Sequence, residues 1–581
     1  MVKLYLWNSV ARRRRSISDT FYDNGLGTLR AYLTERGHEV EVIDWATDSF
    51  FDSLSLLWLT KIIRKIYVCI FKVKLKPVKI ILGIIGMQLQ DELSAVQARR
   101  MKKKINLLVE ELREKQIRIF GIKTWYGEAF TNAKYIAERI RQRIPDAIVI
   151  AGGYHVTLYE EKLLEVSTFD LGVACEGEFA LDTILNIANK YASSWDKQKA
   201  LDEIITLAGS NKLENLIYRK DNKIIKSERR RLDAHSLKSF PVYDPSQDKV
   251  RIHVMIESLG CDWGKCNFCV HPYFYPNYSL RDPDQIANEI EQMRKFGIGI
   301  FRFAGSDTPP AFGAKIARKI TEKKMRVIFG MGSRALRNAR NSHDSLVTSY
   351  RELIRAGLRA LFMGGECGND FINEHAMNKG INFDDLCATI EALRQAEKEE
   401  GQKVFLSLAL IYPTPLLGKL TLEQVKEDNL RLLKATKPDS VMITPPGPFL
   451  HTRWYEDKER FGFSLGDDII STAMEYEYVL YKPPSLWPKL PISLEGKPFS
   501  KILSECNDFR NQVEKELLIP TDISDEHFLM FYAAGLVPPD ELTQAKNETM
   551  LDIVSCEYSY TRKLSRITNE FSKKISQEVI S

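Results

Sequence analysis

A chain of 581 residues allows roughly three to four domains at about 150 residues each. Its 44% apolar and 28% charged content is that of a globular protein, and a formal charge of +6 is too small at this size to point to a nucleic-acid binder. The opening MVKLYLWNSVARRRR sets its charges after a short apolar run, the reverse of a secretory signal, and no apolar run approaches the ~18 residues that span a bilayer. The expected compartment is a reducing cytoplasm, where clustered cysteines bind metal or do redox chemistry more often than they pair.

Residues 1–195 alternate strands and helices. KLYLW reads as a strand, and NGLGTLRAYLTERGHEVEVID as a glycine turn, a helix stopped at Gly37 and a second strand. IRIFGIK (117–123), AIVIAGG (147–153) and DLGVACEGE (170–178) read as three more strands. This alternation predicts a doubly wound, Rossmann-like α/β domain with its ligand at the carboxyl ends of the strands. Turns with glycine fall there, at 23–27, 123–127, 152–155 and 176–178. Each alone can be a plain turn, but four at one edge suggest a binding surface.

Residues 50–115 interrupt the pattern with apolar runs carrying Lys61, Arg64, Lys65, Lys72, Lys74, Lys76 and Lys79. Such a basic amphipathic segment, here 53–90, can make peripheral contact with an anionic membrane. It can equally cover its own domain, with lysine stems lying over apolar surface. Residues 196–250 read as a connector containing a hairpin at Asp221-Asn222.

Residues 251–460 alternate again, giving six β/α repeats and hence a partial TIM-type barrel with its chemistry on the loops after the strands. GCDWGKCNFCV follows the first of these strands and crowds Cys261, Cys266 and Cys269 together, though the whole chain has nine cysteines. Three thiolates can hold three irons of a 4Fe-4S cubane and leave the fourth open. A structural zinc is the alternative, with His271 as fourth ligand. Its closed shell has no reason to occupy a barrel mouth.

On these residues the chain resembles the radical S-adenosylmethionine enzymes, and over 1–460 their cobalamin-binding class. GCDWGKCNFC resembles the cluster motif. GLGTLRAYLTERGHEVEVID, AGGYHVT and CEGEFALDTIL resemble the cobalamin domain, and FMGGECGNDFINEHAMNKGI and IYPTPLLGKLTLEQV resemble the barrel. Two departures stand out: four residues, not three, separate Cys261 from Cys266, and the first domain has no Asp-x-His-x-x-Gly. The second implies cobalamin bound with its benzimidazole displaced and no protein histidine on cobalt.

The resemblance implies the following roles. Cys261, Cys266 and Cys269 ligate the cluster, whose open iron takes the amino and carboxylate groups of S-adenosylmethionine. Phe268 lies against adenine, or simply packs. Gly305, Ser306 and Asp307 meet the methionine amino group. Arg334 pairs with the methionine carboxylate, or is an exposed arginine at a strand end. Glu366 accepts from ribose hydroxyls, or forms a structural ion pair. Cobalamin meets Gly25, Thr124, Trp125, Tyr126, Gly152, Gly153, Tyr154, His155, Thr157, Gly177 and Glu178. At Gly152 and Gly153 no Cβ intervenes, and His155 is expected to hydrogen-bond, not to bind cobalt.

The implied activity is C-methylation of an unactivated carbon in a small-molecule or natural-product-type substrate, using a 5′-deoxyadenosyl radical and methylcobalamin. Cyclisation or rearrangement without methyl transfer is the alternative within the class, and a zinc-stabilised binding protein the alternative outside it. An electron donor such as flavodoxin or ferredoxin is implied as partner, and no nucleic acid. Residues 461–581 read as a mixed, mainly helical C-terminal domain, which the resemblance assigns to covering the barrel mouth.

Overall fold

Alternating side chains build β1 (Lys3–Asn8): Leu4 and Leu6 enter one core, Tyr5 and Trp7 the other. The computed structural model describes residues 1–579. β2 (Glu39–Asp44), β3 (Ile119–Lys123), β4 (Ile148–Gly152) and β5 (Leu171–Val173) join β1 in the parallel order β2-β1-β3-β4-β5. The winding reverses between β1 and β3, so the helices after them diverge and open a crevice at the carboxyl edge.

β6 (Leu216–Lys220) and β7 (Lys223–Lys226) form the hairpin, whose turn residues Asp221 and Asn222 both have positive φ. The hairpin pairs antiparallel with β5. The stretch read as a connector thus supplies two edge strands of the first sheet. The insertion at 50–115 folds into helices Leu57–Lys72 and Lys76–Glu114, and the second packs Met101, Ile105, Val109 and Leu112 on the face that carries Trp7 and Phe120.

A second sheet starts at β8 (Ile252–Met255). Short β9 (Ser258–Leu259) and β10 (Ser279–Leu280) pair as an antiparallel ribbon that closes the base of the cysteine loop. β11 (Ile300–Phe303), β12 (Ile328–Arg334), β13 (Leu358–Glu366), β14 (Phe405–Ile411) and β15 (Ser440–Thr444) complete six parallel strands in the order β8-β11-β12-β13-β14-β15. This is an open, partial (β/α)6 barrel.

The C-terminal region does not simply cover the mouth. Helix Asp525–Ala533 packs Phe528, Leu529 and Phe531 among Ile252, Ile300, Ile328 and Phe405, which are the first residues of their strands. Each such phenylalanine contributes about 1.5–3 kcal/mol by burial, which commits the helix to plugging the amino end. Helix Phe499–Glu516 lies on the other side, with Cys506 Sγ 3.5 Å from the Ile443 carbonyl oxygen and Phe509 4.5 Å from the Tyr412 ring.

Candidate active site

Gly260 turns the chain out of β9 at φ +77°, where a Cβ would stand 2.6 Å from the Asn277 carbonyl oxygen. The loop beyond it is fastened to the segment following β13. Asn267 N–H donates to Met377 O at 2.9 Å, and its side-chain amide donates to Ala376 O at 3.1 Å. Trp263 Nε1 donates to Asn378 O at 2.7 Å, while Asn378 Nδ2 donates back to Lys265 O at 2.8 Å. The Trp263 ring covers Gly380, whose φ is +70° and whose Cβ would come 2.4 Å from the ring. Trp454 completes the dock, donating from Nε1 to Ala376 O at 2.9 Å. None of these bonds uses a thiol, so Cys261, Cys266 and Cys269 stay half-buried and free of disulfides, with Cys261 Sγ 3.9 Å from Asp307 Oδ2.

The thiols do not stand as a ready-made zinc shell. One tetrahedral zinc at ~2.3 Å from each sulfur draws thiolates to about 3.8 Å apart. Among the described residues, the trio with ligand atoms within 4.8 Å of one another is Cys261, Asp262 and Asp307, not the three cysteines. His271, the candidate fourth zinc ligand, instead pairs its Nδ1 with Ser306 Oγ at 2.7 Å. Burial pushes the Cys266 thiol up to about 12 and raises Cys261 and Cys269, so a bound metal must draw off these protons.

The carboxyl ends of the next strands surround this loop. Gly305 N–H donates to the buried Glu257 carboxylate at 3.0 Å, and a Cβ there would overlap Ser258 Oγ at 2.2 Å. Asp307 accepts from Arg334 N–H at 3.0 Å, and burial raises its carboxyl to about 6. The Arg334 guanidinium donates to Asp262 Oδ1 at 3.2 Å and to Lys379 O at 2.7 Å, and lies 5.4 Å from the Trp263 ring centre. Its Nε is buried without a partner. Arg334 is therefore not an exposed arginine.

Glu366, at φ +56°, accepts from Lys379 Nζ at 2.7 Å, and both are buried. Burial works against the Lys379 charge, yet Glu366 and Cys266 hold its pKa above the usual value. Phe268 stands 5.7 Å from Trp454 and 6.0 Å from Lys379 Nζ. The structure thus gathers Phe268, Gly305, Ser306, Asp307, Arg334 and Glu366 around the cysteines. It adds Glu257, Asp262, Trp263 and Lys379, which no motif spacing marked.

At the first sheet, Asp23 caps helix Asn24–Glu35 by accepting Leu26 N–H at 3.0 Å and pairs with Lys123. Burial opposes its charge, but Lys123 and that N–H hold the carboxyl low. Thr124 donates twice to Gly152 O, from N–H at 2.7 Å and from Oγ1 at 2.9 Å. A Cβ on Gly152 would meet nothing within 4 Å, because the residue floors an apolar cleft of about 290 Å³. Gly25, Gly153, Gly177 and Glu178 line that cleft from the first domain, and Ile256, Leu259, Tyr275 and Arg281 from the barrel.

Both Glu176 carboxylate oxygens and Glu178 Oε2 are buried here without partners. Burial raises both groups, Glu178 to about 7. Trp125 stands 5.1 Å from Tyr154 and 5.6 Å from Tyr126. Tyr154 stands 5.2 Å from Phe274 at the end of the cysteine loop.

Six expected contacts do not line this cleft: Thr124, Trp125, Tyr126 and Tyr154 stand outside its lining, and His155 and Thr157 are held within the domain. His155 is buried against Phe130 and Tyr159, with Nε2 3.1 Å from Met474 O, and burial lowers its pKa to about 4. Thr157 Oγ1 accepts Cys175 N–H at 2.8 Å inside the domain. The cause is local: helix Tyr154–Tyr159 begins directly after Gly153, so successive side chains turn by about 100°. Tyr154 thus reaches Phe274 while His155 turns into the core, and Thr157, back near the Tyr154 side, is taken up by the Cys175 N–H.

Both sites fit the cofactors their donors suggest. Three thiols free of disulfides leave one corner of a cubane open, and a glycine-floored apolar cleft offers unpartnered carboxyls to the amide rim of a corrin. The comparisons agree. Residues 59–185 match the B12 binding domain and residues 255–413 the Radical SAM superfamily. The chain is 27% identical over 313 residues to the anaerobic magnesium-protoporphyrin IX monomethyl ester cyclase of Cereibacter sphaeroides, covering 50% of this chain and 46% of that protein. It is 26% identical over 259 residues to the protein of the same name from Rubrivivax gelatinosus, covering 41% and 42%. The chain thus spans under half the length of the curated relatives it matches.

Among solved structures, the radical S-adenosylmethionine methyltransferase TsrM from Kitasatospora setae, with cobalamin and a 4Fe-4S cluster bound, gives a TM-score of 0.60 at 12% identity, covering 95% of this chain and 99% of that one. The cobalamin-dependent S-adenosylmethionine radical enzyme OxsB with aqua-cobalamin bound gives 0.53 at 16%, covering 79% and 56%. At these identities the likenesses speak to fold. A B12-binding domain followed by a radical SAM domain on this fold is the make-up of the cobalamin-dependent radical S-adenosylmethionine enzymes, and the cofactors these two domains imply are a 4Fe-4S cluster, S-adenosylmethionine and cobalamin.

Proposed function

We propose that the enzyme is a C-methyltransferase acting on an unactivated carbon of a small-molecule or natural-product-type substrate. The carrying observation is that one cleft is lined by Gly152 and Gly153 of the first sheet and by Ile256, Leu259 and Tyr275 beside the cysteine loop. A corrin and an S-adenosylmethionine cluster held at those two walls face a common space. When bound, the cofactors supply a 5′-deoxyadenosyl radical and a methyl group.

The chain's own residues bind and orient. Cys261, Cys266 and Cys269 hold iron. Arg334 is oriented by Asp262 and the Lys379 carbonyl and offers its unpartnered Nε to the methionine carboxylate. Glu366 offers oxygen to ribose while Lys379 fixes its rotamer. Glu257 holds the backbone of Gly305, so that the 305–307 segment keeps its shape for the amino group. Phe268 backs the adenine, and Trp125, Tyr126 and Tyr154 wall the corrin side. Glu178, with its raised carboxyl, can keep its proton near neutrality and donate to an amide carbonyl of the corrin rim. Electrons come from a flavodoxin or ferredoxin.

A second reading, cyclisation or rearrangement without methyl transfer, is favoured by the two relatives that are cyclases by name. Deuteriomethyl-labelled S-adenosylmethionine separates the two. Methyl transfer predicts S-adenosylhomocysteine and a labelled methyl on bound cobalamin, alongside 5′-deoxyadenosine. Reductive 5′-deoxyadenosine formation with no S-adenosylhomocysteine would reject methyl transfer in favour of the second reading.

A further inference from the structure

Helix Lys76–Glu114 is 39 residues long, but the first sheet uses only part of it. From Leu93 onward a buried stripe seats it on the sheet. The turns before that overhang: residues 76–85 extend about 15 Å at 1.5 Å per residue. Helix Leu57–Lys72 returns beside this overhang, and Gly86 lets the Ile66 and Tyr67 side chains approach to 3.5 Å of where its Cβ would be. The result is a helical hairpin projecting from the domain.

Its tip is apolar and bare. Phe71 is 76% exposed, Leu75 68% and Ile80 63%, with Ile81, Ile84 and Ile85 beside them, while Trp58 is bare at the other end of helix Leu57–Lys72. Solitary exposed apolar residues need no explanation, but a contiguous group at one tip does. Around it stand Lys61, Lys65, Lys72, Lys74, Lys76 and Lys79, all exposed. Among the described residues none of the six takes part in an ion pair. Arg64, the remaining basic residue, is turned inward to Glu548 and Asp552. No acidic residue occurs between Asp52 and Asp91. Lysines spent on solubility alone are normally interspersed with acids.

We propose that this hairpin docks the enzyme on an anionic lipid bilayer, its apolar tip entering the interface and its lysines meeting the headgroups. Charge complementarity selects that occupant: six unpaired cations in a stretch with no acidic residue of its own fit a sheet of negative headgroups, and the Phe and Ile of the tip suit the headgroup–acyl boundary. Among the described residues no helix is long and apolar enough to cross a membrane, so the contact is with the surface. The hairpin also touches the segment that borders the corrin side. Asp91 holds Tyr481 at 2.7 Å and Lys482 at 2.9 Å, and upstream of these Glu477 Oε2 accepts Glu128 N–H at 2.9 Å beside the Trp125–Gly127 turn. A docked enzyme would therefore carry this border toward the bilayer, where lipophilic substrates reside.

The test is cosedimentation of the anaerobic holoenzyme with vesicles of phosphatidylcholine alone, or containing about one-third phosphatidylglycerol. Bound cobalamin serves as the control for folding. Binding should need phosphatidylglycerol and weaken as salt rises from about 0.1 M to about 0.5 M, since the Debye length shortens. The variant K72Q/K74Q/K76Q/K79Q should lose partitioning by roughly fivefold per lysine. The variant F71S/I80S/I81S should lose at least about tenfold, because apolar insertion is removed. Equal binding to neutral vesicles, or full retention by either variant, would overturn the proposal. So would light scattering that shows a dimer abolished by F71S/I80S/I81S together with no vesicle binding, since the occupant would then be a second copy.

Discussion

The glycine-floored cleft and the cysteine loop adjoin through Leu259 and Tyr275, yet they are built by different means. The cleft is backbone architecture: Gly152 leaves its floor open, Gly153 turns at φ +96°, and Thr124 pins the turn through Gly152 O. The cysteine loop is held through contacts with a segment more than a hundred residues away, and its thiols remain protonated until a metal draws them together. A backbone-built groove and a metal-completed loop should therefore fail independently.

Gly380→Val attacks the loop alone and should have the largest effect. The Cβ would meet the Trp263 ring at 2.4 Å, and a β-branched residue at φ +70° adds strain of about 1–2 kcal/mol. Iron and sulfide per chain should fall severalfold while bound cobalamin stays near wild type. Gly152→Leu attacks the cleft alone. Nothing lies within 4 Å of its Cβ, so the fold should tolerate it, but the side chain fills the space a corrin needs. Cobalamin affinity should drop by about tenfold or more, a cost of about 1.4 kcal/mol, with iron content unchanged. Parallel loss of both cofactors in either variant would collapse the distinction.

A smaller effect belongs to His155, which sequence assigned to the cleft and structure assigns to the core. Its folded pKa of about 4 lies below the ordinary 6.5 because burial disfavours the cation. Between these values the unfolded chain binds a proton that the folded chain does not. The stabilisation is therefore present above about pH 6.5 and lost as pH falls through 4. His155→Phe should flatten that acid limb by up to about one proton and leave the cob(II)alamin spin-resonance spectrum unchanged. Disappearance of a nitrogen superhyperfine splitting in the variant would instead put this ring on cobalt.

The parts legible in sequence were those with a period or a punctuation mark. Strand alternation gave both parallel sheets, glycines marked the turn at Gly152 and Gly153 while the one expected at Gly25 is the first turn of helix Asn24–Glu35, and Cys261, Cys266 and Cys269 marked the loop. The role of Lys379 was not legible, because its pairing with Glu366 depends on Gly364, where a Cβ would come 2.7 Å from Lys379 Nζ, and on the fold of the segment after β13. Trp263 and Asp262 looked like spacers. In the structure they are the contacts to Gly380 and Arg334, and they occupy the longer Cys261–Cys266 interval. His155 misled because GGYH reads as a turn, whereas a helix begins at Tyr154. The C-terminal plug was hidden because Phe528 and Phe531 carry no sign of which barrel end they fill.

The central claim is that the cysteine loop generates the radical while the first sheet separately holds cobalamin. The direct measurement is 5′-deoxyadenosine formed under reducing conditions, with bound cobalamin quantified on the same sample of a C261A/C266A/C269A variant. No thiol contributes to the contacts that dock the loop, so the fold should survive. The account predicts cobalamin bound as in wild type and no 5′-deoxyadenosine. Formation of 5′-deoxyadenosine at the wild-type rate would contradict it.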